Sequence, residues 1–367
     1  MQKTGILELP LHTGKAPRWL FEKMVILARC IAQVIIIEFG RDCFLKRLAD
    51  PLWFQAFGCV LGFDWHSSGL TTTTCAALKE AFYSLGEYKV FICGGKGRTS
   101  RKTPSQIGEI GQNLGKNLDN LVYISRLVAK VDNNALQDGF ELYHHTFVFT
   151  DELKWTVIQQ GMSSDSLGWA RRYHWHSEKL QSFIKKPHTG ISSDKFFLTL
   201  NLVDDNIQKA QNVITELSWR KKEENIKDFL LLYNNINKLP QRHRLLLSDI
   251  NPKFLDKIFL KTYEKKPTNF ENLLSLEGVG KKTLRALALI SELIYGTNLS
   301  YFDPARYSFA HGGKDGYPYK INLARYQSTI DILKKAIQQA KIERSDRIKA
   351  LRRLYRFYYL NDKEGGI

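Results

Sequence analysis

Two histidine pairs, His144-His145 and His174-x-His176, together with Asp64-x-His66 and Asp138, supply the side-chain types that proton transfer or metal binding requires. On an extended segment, residues two apart share a face, so Asp64 with His66, or His174 with His176, can act as a ligand pair or as an acid with its base. Adjacent residues face opposite ways on a strand, so at most one of His144 and His145 joins such a site. Adding Asp138 or Glu141 completes a nitrogen and oxygen set suited to Mg²⁺, Mn²⁺ or Zn²⁺. Each residue also has a plain structural reading, as a satisfied core histidine or, for Asp64 and Ser68, as the cap of the following helix.

Cations surround these groups. His12, Lys15 and Arg18 flank the Gly14 turn just before a helix start, where they either hold a phosphate over the helix N-terminus or face solvent from a capping turn. Lys96, Arg98, Arg101 and Lys102 alternate with Gly94, Gly95 and Gly97 after a strand, which suits a loop wrapped on phosphate. The spacing G-x-x-x-x-G-K-[ST] is not met there, so a P-loop is excluded.

A third element, Leu273 to Ala288, joins an apolar helix end to a Gly278-Val279-Gly280 turn and a second helix that starts at once. This resembles the helix-hairpin-helix DNA-binding motif. Gly278 and Gly280 let backbone approach a phosphate, and the N–H groups at the following helix start point toward it. Lys281, Lys282, Thr283 and Arg285 add donors and charge on that side, and such a grip reads backbone, not bases.

Positioning these groups requires two kinds of sequence. Leu20, Met24, Leu27, Ile31 and Val34 recur at three- and four-residue spacing and predict a helix from Pro17 to about Phe39. Further helices are expected near 51–61, 71–85, 104–114 and 118–137. Strands are expected at 6–9, 89–93, 144–150 and 155–160, the last two paired across Asp151-Glu152. From about 205 onward the pattern is helical, broken at Pro240, Pro252 and Pro267. The expected fold class is α+β. A mixed α/β domain over 1–190 precedes an all-α domain over 191–320, with its hairpin at 273–290, and a basic helical segment over 321–367. In that last segment nine Lys and Arg stand against two acids between Lys334 and Arg356, beside an apolar stripe. One face docks, and the other is offered to phosphate or to solvent.

The 367 residues carry 54 Lys and Arg against 37 Asp and Glu, a net charge of +17 that favours polyanionic partners. Residues 191–367 hold +11 of it, whereas 1–190 hold +6 and seven of the nine histidines. With 43% hydrophobic and 12% aromatic residues, the chain can bury enough surface to fold. The longest apolar run, Val34 to Ile37, is far below the roughly 20 residues of a membrane span, so no membrane partner is expected. Met1 to Leu11 has no basic region followed by an apolar core, and five cysteines without a C-x-x-C pair read as buried thiols. The expected location is the cytoplasm.

Long runs resemble one family, domain of unknown function 763. They include Leu9-Pro10-Leu11-His12 through Trp19-Leu20, Trp53 to Cys59, and Asp64-Trp65-His66-Ser67-Ser68-Gly69. Gly94 to Pro104, Ser125-Arg126-Leu127-Val128-Ala129-Lys130-Val131-Asp132-Asn133, Gln137-Asp138-Gly139, and Gln159 to Trp175 complete them. The resemblance implies an N-terminal domain similar to the ParB/sulfiredoxin fold, a helical part with a helix-hairpin-helix, and DNA nuclease activity. It places Asp64, His66, Asp138, His144, His145 and His174 in catalysis, with Asp64, His66 and Asp138 as ligands of Mg²⁺ or Mn²⁺. Lys15, Arg18, Lys96, Arg98, Arg101, Lys102, Arg171 and Arg172 then hold phosphates, with His12 beside them. The implied activity is a structure-specific or single-strand-preferring endonuclease of DNA repair or replication, acting on single-stranded or branched DNA, with a homodimer as a further expectation.

Two rivals stand beside it. The hairpin is also similar to that of DNA glycosylase/AP lyases, with Lys282 as Schiff-base nucleophile and Asp303 assisting. Alternatively the chain binds DNA without cutting it.

Overall fold

The computed structural model describes residues 16–63, 69–163, 169–193, 198–248, 250–251, 254–305 and 323–364. Four helices open it: α1 (Arg18–Phe39), α2 (Arg41–Leu48), α3 (Pro51–Leu61) and α4 (Gly69–Tyr83). Asp50 caps α3 by accepting from Leu52 and Trp53 N–H, and Pro51 sits in the first turn where its missing N–H costs nothing. Strand β1 (Val90–Lys96), a 3₁₀ turn over Gly97–Lys102, and helices α5 (Thr103–Leu114) and α6 (Asp119–Lys130) follow. Next come β2 (Leu136–Gln137), β3 (Phe140–Thr150), β4 (Trp155–Ser163), β5 (Ala170–His176), β6 (Gly190–Ser192) and β7 (Leu200–Asn201). Then the chain is helical: α7 (Gln208–Leu217), α8 (Lys222–Asn234), α9 (Gln241–Ser248), α10 (Leu255–Lys265), α11 (Phe270–Ser275), α12 (Lys281–Leu293), α13 (Leu323–Gln339) and α14 (Arg344–Glu364).

The fold class is α+β, as expected. The main sheet runs β1-β3-β4-β5-β6 with every neighbour antiparallel, and β2 pairs with β7. Differences from the sequence reading are local. The helix expected over 118–137 ends at Lys130 and passes through a π turn, Val131–Ala135, into β2. Helix α2 is not among the helices expected from periodicity, because its eight residues are too few to show a repeat. The strand expected at 6–9 lies outside the described residues.

Helices cover both faces of the sheet. One face carries Val90, Ile92, Val148 and Ile158 into a core with α1 to α4, α13 and α14. The other carries Phe147, Phe149, Trp155, Val157 and Trp175 into a core with α6, α7 and α10 to α12, so residues on both sides of 190 share it. The basic C-terminal segment docks its apolar stripe: Ile330, Leu333, Ile337, Ala350 and Leu354 are buried against the first helices, with Lys335 bonded to Glu38 at 2.6 Å. No helix among the described residues is long and apolar enough to cross a membrane. All five cysteines are free thiols, and burial pushes Cys75 and Cys93 up to about 12.

Candidate functional site

Strand register sorts the candidate residues. His145 lies opposite Gly95 and Gln159, with Tyr173 beyond, whereas His144 lies opposite Lys96 and Gln160, with Arg172 and Ser192 beyond. Period-two alternation therefore sends these two rows to opposite faces. Gly94 makes the close pairing possible: its φ is +86°, and a Cβ there would come within 2.1 Å of the His145 carbonyl oxygen.

On the His145 face a hydrogen-bonded relay leads from the core to a cleft. Ser125 Oγ of α6 is 3.0 Å from His145 Nε2, and His145 Nδ1 is 2.7 Å from Gln159 Oε1. Gln159 Nε2 donates to the Val128 carbonyl at 3.2 Å and to Asp132 Oδ2. Asp132, in the π turn that follows α6, also accepts from Trp175 Nε1 at 2.9 Å and bonds His188 Nε2. Burial pulls the His145 pKa down, against the opposing pulls of Gln159 and Asp132, so the ring is neutral at pH 7. His144 is pulled down to about 3 by burial, then by His145 and Lys96.

The cleft, about 630 Å³, is lined by Ser100, Arg101, Ser125, Arg126, Lys130, His144, His145 and Glu277, among others. Arg101 and Arg126 are exposed, and Lys96, Arg98 and Lys102 are exposed on β1 and the 3₁₀ turn beside it. The turn between α11 and α12 borders the cleft, with Gly278 at φ +88°. Lys130 ties this turn to α6: its ammonium donates to the carbonyls of Leu274 at 2.9 Å, Leu276, and Val279 at 3.5 Å. Burial lowers Lys130 to about 8. Gln137 holds α12 from below, donating to the Lys281 carbonyl at 2.9 Å and accepting from Arg285 Nε at 2.7 Å.

Other candidates are placed elsewhere. Asp138 and Arg171 form a buried ion pair at 2.9 Å, and Asp303 takes both Arg171 Nη atoms, at 3.0 and 2.7 Å. Tyr173 donates to Asp138 Oδ2 at 2.7 Å, and Asp138 Oδ1 accepts from Phe140 N–H. Burial opposes the charge on Arg171, but Asp138 and Asp303 together overcome it and raise its pKa. Neither Asp138 nor Arg171 lines the cleft. Both oxygens of Asp138 are committed, so it does not fit the expected metal set. Asp303 is likewise held by Arg171 and stands apart from the role of assisting Lys282.

Arg172 is buried on the opposite face, donating to Gln55 at 2.9 Å and Thr71 at 3.3 Å beneath the Phe54 ring. His174 shares that face and bonds the Leu48 carbonyl through Nδ1 at 2.9 Å; burial holds it neutral. His176 bonds Thr156 at 2.9 Å. The shared face of His174 and His176 therefore meets α2 and α3. In the hairpin, Thr283 is buried, Lys281 pairs with Glu141, and Arg285 turns to Gln137 and the Leu246 carbonyl; Gly278 and Lys282 are exposed. Arg18 is exposed at the start of α1, paired with Glu22. His12, Lys15, Asp64 and His66 lie outside the described residues, and among the described residues no three His, Cys, Asp or Glu side chains gather as a metal site.

Sequence reasoning passed over Ser125, Asp132 and Gln159. All three lie in runs that carry the family resemblance, but helix and strand periodicity cannot show that a serine of α6 meets a histidine of β3. The family model described as Protein of unknown function (DUF763) matches residues 5–321. No curated protein and no solved structure matches the chain.

Proposed function

The chain belongs to the DUF763 family, and from that premise and the cleft geometry we propose that it binds DNA and hydrolyses phosphodiester bonds. The supporting observation is one juxtaposition: a neutral, buried histidine, His145, hydrogen-bonded to Ser125 in a cleft bordered by Arg101, Arg126 and the α11–α12 turn. Phosphodiester hydrolysis needs a base near the attacking oxygen and cations to offset charge that develops on the phosphoryl oxygens. His145 supplies the first and the exposed arginines the second. The turn, read as a helix-hairpin-helix, and exposed Lys96, Arg98, Lys102 and Lys282 hold flanking backbone. The sheet with its covering helices is the part we compare to the ParB/sulfiredoxin fold. Because Asp138 does not fit as a metal ligand, no step is assigned to a metal. The substrate class is single-stranded or branched DNA, and a repair or replication setting and a homodimer belong to the same reading.

The test is incubation of purified protein with labelled single-stranded, duplex, forked and bubble DNA in Mg²⁺, Mn²⁺ or EDTA. Cleavage that His145→Gln lowers about 10²-fold while binding persists is the expected result. Intact DNA in every condition, with tight and salt-sensitive binding, would leave a DNA-binding protein without hydrolysis. A borohydride-trapped adduct on abasic DNA, absent from Lys282→Ala, would favour the lyase.

A further inference from the structure

We infer that Ser125 is a nucleophile toward phosphorus, and that the cleft forms a covalent phosphoserine ester before water completes the reaction. This rests on the proposed phosphodiester chemistry and goes beyond it by naming the attacking atom.

Gln159 Nε2 faces two oxygens that can only accept, the Val128 carbonyl and the Asp132 carboxylate, and this fixes which end of the amide is NH₂. Gln159 Oε1 then faces His145 Nδ1 and accepts from it, so Nδ1 carries the proton. A neutral ring with its proton on Nδ1 has a lone pair on Nε2, and the hydroxyl 3.0 Å away must donate to it. Ser125 is thus held as Oγ–H···Nε2, the arrangement in which a weak hydroxyl nucleophile is activated by an adjacent base that a third group orients. Asp132 anchors the far end and is itself fixed by Trp175 and His188.

Comparison with two other hydroxyl–histidine pairs on the sheet shows that this arrangement is not a general by-product of packing. Thr156 sends its proton to the Leu45 carbonyl at 3.0 Å, so toward His176 it is an acceptor and is not activated. Thr146 meets His144 Nε2 at 2.9 Å, but His144 Nδ1 is buried without a partner and nothing fixes that tautomer. Ser125 differs also from the usual helical serine, which bonds back to the carbonyl one turn earlier. Its bond goes to His145, and both residues line the cleft with Arg101 and Arg126.

The reaction balances within these groups. Ser125 Oγ bonds to phosphorus as its proton passes to His145 Nε2. The P–O bond to one side of the strand breaks, and that oxygen takes the proton from His145. Water then attacks phosphorus and gives a proton to His145, and the Oγ–P bond breaks as Ser125 takes the proton back. Arg101 and Arg126 face the non-bridging oxygens throughout.

The experiment exposes the whole chain to a biotin-bearing alkyl fluorophosphonate, from which Oγ would displace fluoride. We expect a single adduct on the peptide bearing Ser125, absent from Ser125→Ala and slowed about 10²-fold in His145→Gln. Thermal melting confirms that both variants are folded, and the parent labelling itself depends on no variant. Failure of the folded parent to gain label at Ser125 overturns the inference, and DNA cleavage by the same preparation would then leave His145 acting on water. Label at Ser125 with every DNA left intact would keep the nucleophile and remove the nuclease reading.

Discussion

Two buried polar networks sit side by side on one face of the sheet and have opposite designs. Around Arg171, one guanidinium meets Asp138 and Asp303, the Tyr173 hydroxyl donates to Asp138, and these partners are all internal. Around His145, the chain from Asp132 through Gln159 ends on a serine that borders a cleft. Tyr173 of the first lies directly opposite Gln159 of the second across the β4–β5 pair. A closed network meets each charge inside, and that pairing offsets part of the cost of taking the charges out of water. An open-ended one leaves an atom poised for something that arrives from outside. Charge alone does not separate them: buried carboxylates stand in both, Asp138 and Asp303 in the closed network and Asp132 in the open one.

The contrast can be broken in four ways. Arg171→Met leaves Asp138 and Asp303 buried together and should destabilise by about 3–5 kcal/mol in urea unfolding. A loss under about 1 kcal/mol would mean that the closed network is not structural. His145→Gln should lower cleavage by about 10²-fold, near 2.7 kcal/mol on the barrier, while the melting temperature moves by only a few degrees. A variant that loses fold and activity together would erase the distinction between the two networks.

Acid should act through the buried neutral histidines. The folded pKa of His144, about 3, lies below the unfolded value near 6.5. Its stabilising effect is full above about pH 6.5 and is lost as pH falls toward 3, because the unfolded chain binds the proton more readily. The slope is about 1.4 kcal/mol per pH unit, and His144→Gln should flatten it in stability measured from pH 6 to 4. Arg126→Ala, at an exposed site, should cost less than about 1 kcal/mol of stability. It should also lower the slope of log affinity against log salt by about 1, equally for all DNA sequences.

Much of this was legible in the chain itself. The spacing of Met24, Leu27 and Ile31 specified α1, and Gly278-Val279-Gly280 specified a turn between two helices, because both signals are local. The alternation of faces at His144 and His145 followed from strand geometry alone. Roles were harder to read. Arg171 and Asp138 looked like phosphate and metal groups because sequence shows charge but not burial, and they face one another across 33 positions in the core.

Composition and period thus determined that this chain is basic and α+β, and long runs such as Gln159 to Trp175 carried the family resemblance, since those properties depend on residue type and near neighbours. Only the tertiary structure decided which polar residues satisfy one another and which open on the cleft. That outcome depends on β3 and β4 being in register and on α6 crossing them at Ser125. No local pattern contains the distance between a helix and a strand.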